Sequence, residues 1–369
     1  MSKPKIIQIE PWIDESELVQ LKRVIESTYL TEHKITQEFE EGIKSLTGAK
    51  YAIATSNGTT ALYCGLKALG IGFGDEVLVP DLTFVASSNA IIMTGATPIF
   101  CDIEKDNLGI DVREAEALIT ERTKAIMPVH LYGQSADMEK IIEFATRHHL
   151  KVIEDAAQSI GVQFKGEHIG LRGDVSAISF YGNKTITCGE GGIILTNSDI
   201  IAQSCRRLKN HGRDHRGTFV HEHIGFNFSI TEMQSAIGVA QLQKLPAIIQ
   251  RKQEIYDRYV AGLKDIPELQ IMPIDSRCEP VHWFTSCYTN QRAELADYLA
   301  ENGIQTRRFF CPLHLQPCYQ NQEWMNPERN YPISAQAYER GISLPSSYGL
   351  KPEEQNYVIE KIREFYSGS

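Results

Sequence analysis

The sequence predicts an α/β protein: a mostly parallel sheet with helices on its faces, followed by a smaller α+β portion. Two observations carry this reading. Short apolar runs bounded by Gly and Pro alternate with helical stretches between Tyr51 and Thr196, the pattern of βαβ units. The chain has 369 residues, more than the roughly 250–300 that one core usually fills. A composition shift from Ile266-Pro through Pro280 marks a linker, and we divide the chain into a large domain, 1–245, and a small one, 246–369.

Taken in order, Asp14 opens a helix, with Glu17 at capping-box spacing and Leu18, Leu21 and Ile25 on one face. A second helix carries Phe39, Ile43 and Leu46 and ends at Gly48. Strands are expected at Tyr51–Thr55, Glu76–Val79, Thr97–Phe100, Ala125–Val129, Lys151–Glu154, Val175–Phe180 and Gly192–Thr196. Between them lie helical runs at Ala61–Leu69, Ser87–Met93, Val112–Ile119 and Met138–His148. Thr231 to about Leu263 reads as a long helix interrupted near Pro246, because proline removes a helix hydrogen bond. The small domain shows a strand near Trp283–Tyr288, a helix Arg292–Asn302 and a closing helix Pro352–Tyr366.

Composition excludes several classes. A net charge of −10 argues against a nucleic-acid binder, which normally carries a basic face. No run approaches the 18 apolar residues of a membrane span. Met-Ser-Lys-Pro-Lys leads into Ile6-Ile-Gln-Ile9 without a hydrophobic signal core. Eight scattered cysteines without a C-x-x-C pair suggest neither zinc nor disulfides, so a cytoplasmic protein with reduced thiols and no metal is expected.

In parallel sheets ligands gather at the carboxyl ends of strands, where the polar motifs of this chain fall. Ser56-Asn-Gly-Thr-Thr60 joins a strand to a helix and forms an anion seat suited to phosphate, although the same residues are ordinary N-caps. Asp155 ends a strand and either is a satisfied structural carboxylate or holds a proton on a ring nitrogen. Gln158, one helical turn on, can reach a ring hydroxyl or lie at the surface. Phe84 can stack on a planar cofactor, while core packing is the default for such a ring. In Ser179-Phe-Tyr-Gly-Asn-Lys184, the serine offers a hydroxyl and the lysine an amine, and Gly189-Glu-Gly-Gly192 leaves room for cofactor and lysine to move. A lone lysine is ordinarily a solvated ammonium. Here the aspartate and the phosphate seat favour an amine that captures an aldehyde and then moves protons as a general base. No G-x-S-x-G and no dinucleotide glycine fingerprint occurs.

Together Thr55-Ser-Asn-Gly-Thr-Thr-Ala-Leu62, Thr83-Phe-Val-Ala86, His130-Leu-Tyr-Gly133, Ile153-Glu-Asp-Ala-Ala-Gln158 and Ser179–Lys184 closely resemble the DegT/DnrJ/EryC1/StrS family of PLP-dependent sugar aminotransferases. The likeness continues through Gly225-Phe-Asn227, Gln234-Ser-Ala-Ile-Gly238, Gly303-Ile-Gln-Thr-Arg307, Pro312-Leu-His-Leu-Gln-Pro317 and Ser343-Leu-Pro345, covering essentially the whole chain.

The resemblance implies the aspartate-aminotransferase-like type I fold with a seven-stranded sheet, pyridoxal 5'-phosphate as cofactor, and a homodimer with shared active sites. Lys184 would bind the cofactor aldehyde and Asp155 its pyridine nitrogen. Gly58, Thr59 and Ser179 would hold the phosphate, Asn57 would join them in binding the cofactor, Phe84 would stack on the ring, and Gln158 would meet its hydroxyl. Asn227 would reach the phosphate region of the partner subunit. Thr28, Tyr29, Thr31, Arg307 and His314 would face the nucleotide-sugar substrate, with residues 1–30 on the substrate and dimer side.

The run after Lys184 and the Arg307–Pro317 segment are most similar to the branch that aminates C4 of a GDP-linked 4-keto-6-deoxy sugar with L-glutamate. C3 amination and UDP- or dTDP-linked sugars stay open, as do cell-surface polysaccharide and glycosylated natural product as destinations. A family dehydratase is disfavoured because it carries histidine in place of Lys184, and a non-catalytic sensor because the site residues are retained. Two departures stand out: Ser229 occupies a position where many members have arginine, and the segment between Arg251 and Trp283 is short.

Overall fold

The computed structural model describes residues 6–214 and 219–368. A seven-stranded sheet runs in the order 51–55, 192–196, 175–179, 151–155, 123–126, 76–80, 97–101. Gly192–Thr196 pairs antiparallel with both of its neighbours, and every other pairing is parallel. Successive residues of each strand enter opposite cores. Ala52, Leu78, Ile126, Val152 and Ile178 lie in one, and Ile53, Val77, Ala125, Ile153 and Ala177 in the other. This two-sided burial explains why the strands read as continuous apolar runs rather than alternating ones.

Helices Lys34–Thr47 and Met138–Arg147 cover the first face through Phe39, Ile43, Ile141 and Phe144. Helices Gly58–Ala68, Val85–Met93 and Asp199–Lys209 cover the second through Leu62, Leu66, Ile91 and Ile201. The local signals behave as their chemistry requires: Asp14 and Glu17 form the expected capping box, and Gly48 ends the second helix at φ 81°, a left-handed cap that glycine adopts without strain.

The long helix, Glu232–Leu263, runs unbroken through Pro246, contrary to the expected interruption. Its apolar residues hold it on both sides of the proline. Val239, Leu245 and Ile248 are buried in the large core, and Ile255, Tyr259 and Leu263 in a separate one with Leu295, Ile342, Leu344 and Val358. That packing offsets the roughly 3 kcal/mol that an internal proline costs. The helix therefore carries the chain past residue 245 from one core into the next. There an antiparallel four-stranded sheet, ordered 270–271, 285–288, 341–344, 307–308, is flanked by helices Arg292–Glu301 and Pro352–Ser367. Ile6 bridges to Ile304, and residues 1–5 of the expected N-terminal segment lie outside the described residues. Among the described residues no helix is long and apolar enough to cross a membrane.

Candidate active site

The parallel strands present their carboxyl ends at one edge of the sheet, and a cavity of about 310 Å³ lies there. Asn57, Gly58, Thr59, Phe84, Asp155, Gln158, Ser179, Lys184 and Arg307 all line it, joined by His130, Tyr181, Glu190, Trp283 and Phe310.

The anion seat is built by a cap. Asn57 Oδ1 accepts the Thr60 N–H at 2.9 Å, and Thr60 Oγ1 accepts the Asn57 N–H at 3.3 Å. The N–H groups of Gly58 and Thr59 then stand at the positive end of the helix, without carbonyl partners a turn earlier. A Cβ on Gly58 would fall 2.9 Å from the Ser179 Cβ, so glycine lets the seat close onto the serine hydroxyl. A Cβ on Gly192 would fall 2.3 Å from the Asn57 carbonyl oxygen. The space left by Gly192 thus admits the Asn57 backbone, and does not serve the lysine's movement as expected.

Asp155 is 4% exposed. Its Oδ2 accepts the Ser87 hydroxyl at 2.6 Å and its Oδ1 the Ala157 N–H at 3.1 Å. Burial pushes its pKa up, and these bonds together with the nearby Lys184 only partly offset that rise. Its neighbour Glu154 points the other way. There it accepts the His130 Nε2–H at 3.0 Å and the N–H groups of Gly170, Arg172 and Gly173. Burial opposes its charge, but His130 and these N–H groups hold its pKa below the ordinary value. The Ala136 N–H donates to His130 Nδ1 at 3.1 Å, so both nitrogens of His130 are committed to structure.

Lys184 is half-buried as a residue, yet burial lowers its amine to about 8, opposed by Asp155 and assisted by Arg307. Its Nζ lies 4.6 Å from the Trp283 ring centroid. Gln158 sits in a turn rather than on a helix. Its Oε1 accepts the Tyr132 N–H at 2.9 Å, which orients the amide and leaves its NH2 toward the cavity. Phe84 precedes the helix Val85–Met93 and stays 54% exposed, as a stacking surface should and a core ring should not.

The remaining candidates lie elsewhere. His314 is held by Asp81, with Nδ1 2.7 Å from Oδ2 and its N–H 2.8 Å from Oδ1, and it stacks on Tyr331. Thr31 and Asn227 share a separate depression with Asn210, Arg213 and Ser229. Thr28 is the left-handed cap of the first helix, and Tyr29 stacks on His33 while 56% exposed. Trp283 and His130 were not among the residues expected here. His130 lay inside a motif already noticed, whereas nothing near Trp283 in sequence marked it.

A family model described as the DegT/DnrJ/EryC1/StrS aminotransferase family matches residues 11–363. The GDP-perosamine synthase of Escherichia coli O157:H7 is 40% identical over 362 residues, covering 97% of this chain and 98% of that protein. The structure of S. venezuelae DesV in complex with a ketimine intermediate superposes with a TM-score of 0.92 at 32% identity, over 99% of both chains. Spr1654 of Streptococcus pneumoniae, solved in its PLP form, superposes at 0.93 with 26% identity, over 98% of this chain and 99% of that one.

Proposed function

The chain belongs to the DegT/DnrJ/EryC1/StrS aminotransferase family, and we propose that it transfers an amino group from L-glutamate to C4 of a nucleotide-linked 4-keto-6-deoxy sugar, the reaction of a GDP-perosamine synthase. It is a PLP-dependent sugar aminotransferase. The observation that carries the finer reading of the site is the meeting of the Lys184 amine, the Asp155 carboxylate and the N-terminus of the helix Gly58–Ala68 in one cavity.

These residues fit the cofactor chemically. Asp155 is a buried carboxylate whose bonded partners, the Ser87 hydroxyl and the Ala157 N–H, are neutral, so a cationic ring nitrogen would repay its desolvation. The first-turn N–H groups of Gly58 and Thr59, with Ser179, would hold a phosphate. Phe84 would flank the ring, and the Gln158 amide would meet its hydroxyl. When bound, pyridoxal phosphate supplies an aldehyde that captures amines and a ring that withdraws electrons from the reacting carbon.

Lys184 then moves the proton. An amine with a pKa of about 8 has both protonation states accessible near neutral pH, which a group acting as base and then acid requires. Arg307, at the cavity wall, would take an anionic or hydroxyl-rich part of the substrate. His314 would meet the nucleotide sugar farther out, its orientation set by Asp81.

We further propose a homodimer with shared sites. Thr31 and Asn227 lie away from the cavity of their own chain. Exposed Leu18, Val19, Ile25 and Leu30 lie on the N-terminal segment, and exposed Phe219, Val220 and Ile224 precede Asn227. Apolar surface of this kind favours burial against another protein. A second copy would carry Thr28, Tyr29, Thr31 and Asn227 to the neighbouring cavity.

A panel of GDP-, UDP- and dTDP-linked 4-keto-6-deoxy sugars with glutamate, followed by mass and NMR, tests the specificity. C4 amination of the GDP sugar is expected. Preference for another nucleotide or for C3 would overturn the branch assignment, and amination of none would overturn the reaction.

A further inference from the structure

We propose that the indole face of Trp283 is the resting platform of the Lys184 ammonium, receiving the amine whenever it is not bonded to another group. This rests on the reading of Lys184 as the reacting amine. Lys184 forms no ion pair among the described residues; its Nζ instead lies over the Trp283 ring, 4.6 Å from the centroid. A cation over an indole is stabilised by the ring quadrupole, and more so where water is excluded.

The platform is fixed from three sides. Trp283 Nε1–H donates to the Asn183 carbonyl at 2.7 Å, so the indole is tied to the residue just before the lysine. The Trp283 carbonyl accepts from Lys252 at 3.0 Å, and Lys252 also donates to the Ser346 carbonyl at 3.1 Å. The Phe284 ring packs at 4.3 Å. Trp283 itself is 2% exposed.

The arrangement suits an amine that must be released and used again. A carboxylate in contact would hold the ammonium as an ion pair and retard proton loss. An unlined cavity would expel the charge altogether. The indole face lies between these extremes, stabilising the cation without accepting its proton.

The test uses cofactor-free protein. The pH dependence of Lys184 acetylation by acetic anhydride, read by peptide mass spectrometry, gives the amine's midpoint in wild type, Trp283→Phe and Trp283→Leu. Loss of the platform should lower the midpoint by about half to one pH unit in the leucine variant, and by less in the phenylalanine variant, from the size of a desolvated cation–π contact. An unchanged or raised midpoint in variants with native circular dichroism would overturn the proposal. If the leucine variant does not fold, the direction of the phenylalanine shift decides.

Borohydride reduction of the PLP-loaded protein with peptide mapping separates the two readings. Attachment at another lysine would sink the role of Lys184, whereas attachment at Lys184 with an unmoved midpoint would sink the platform alone.

Discussion

Two regions carry the candidate residues, and they are built on opposite principles. At the carboxyl edge of the sheet, Asn57, Asp155 and the Ser179–Lys184 run come from three separate segments and line one cavity. Their polar groups are oriented by neighbours: Asn57 by Thr60, Asp155 by Ser87, Gln158 by Tyr132. On the shelf formed by residues 28–31, 210–213 and 227–231, the links are mostly main-chain, as in the bridges Thr31↔Thr231 and Asn210↔Asn227, and Asn227 is exposed. The cavity gathers groups already oriented by their own chain; the shelf displays polar and apolar groups toward solvent. Preorganised polar groups report a site in place, and displayed ones report a surface awaiting its complement.

The largest expected effect tests the cavity. If Lys184 is both the capturing amine and the proton carrier, Lys184→Ala should lower keto-sugar amination by roughly 10³-fold or more, as general acid–base groups alone contribute about 10²–10⁴. Near-wild-type turnover would dissolve the contrast between the regions. Asp155→Asn keeps the shape and the Ser87 contact but not the charge. A loss of about 10–100-fold is expected, the worth of a charged hydrogen bond, with a weakened hold on PLP visible on dialysis.

The shelf is tested by mixing chains. Asn227→Ala should cost about 3–10-fold if one neutral hydrogen bond is lost. Heterodimers with Lys184→Ala chains should then exceed the mean activity of the two parents, because one of their two sites has both residues. Formation of heterodimers without that excess would remove Asn227 from the shared site.

A smaller effect sharpens the comparison from outside both regions. Lys252 is 3% exposed, and burial alone lowers its pKa to about 7 from an ordinary 10.5. Between those values the unfolded chain holds more protons than the folded one, so stability rises with pH across that window. The penalty is full below about pH 7 and fades toward 10.5. Lys184, at about 8, contributes with the same sign. Melting of cofactor-free Lys252→Met should show a flatter rise from pH 7 to 9 than wild type. An identical slope would mean that Lys252 is not buried as a charge.

Much of this was legible before any coordinates. The alternation of apolar runs with helices gave the sheet, because burial on both faces demands continuous Val, Ile and Leu. Strand ends told where Asp155 and Ser179 would sit. Pro246 misled, since local propensity argues for a break while packing on both sides of it holds the helix together. Trp283 was invisible because its partner in the cavity lies 99 positions away in sequence, brought close by the small domain folding back. Gly192 makes room for the Asn57 backbone rather than for the lysine, for the same reason: a glycine announces that something approaches, not what.

The chain's order of residues determined the family and the α/β architecture and marked the candidate site residues, since each follows from periodicity, strand-end placement or local motif. Tertiary structure decided which of those groups meet. It committed His130 to Glu154 and Ala136, set Trp283 beneath the lysine, and placed Thr31 and Asn227 away from the cavity. The reason is physical. Periodicity is a property of neighbours along the chain, whereas desolvation, which moves the Lys184 amine to about 8, is a property of neighbours in space.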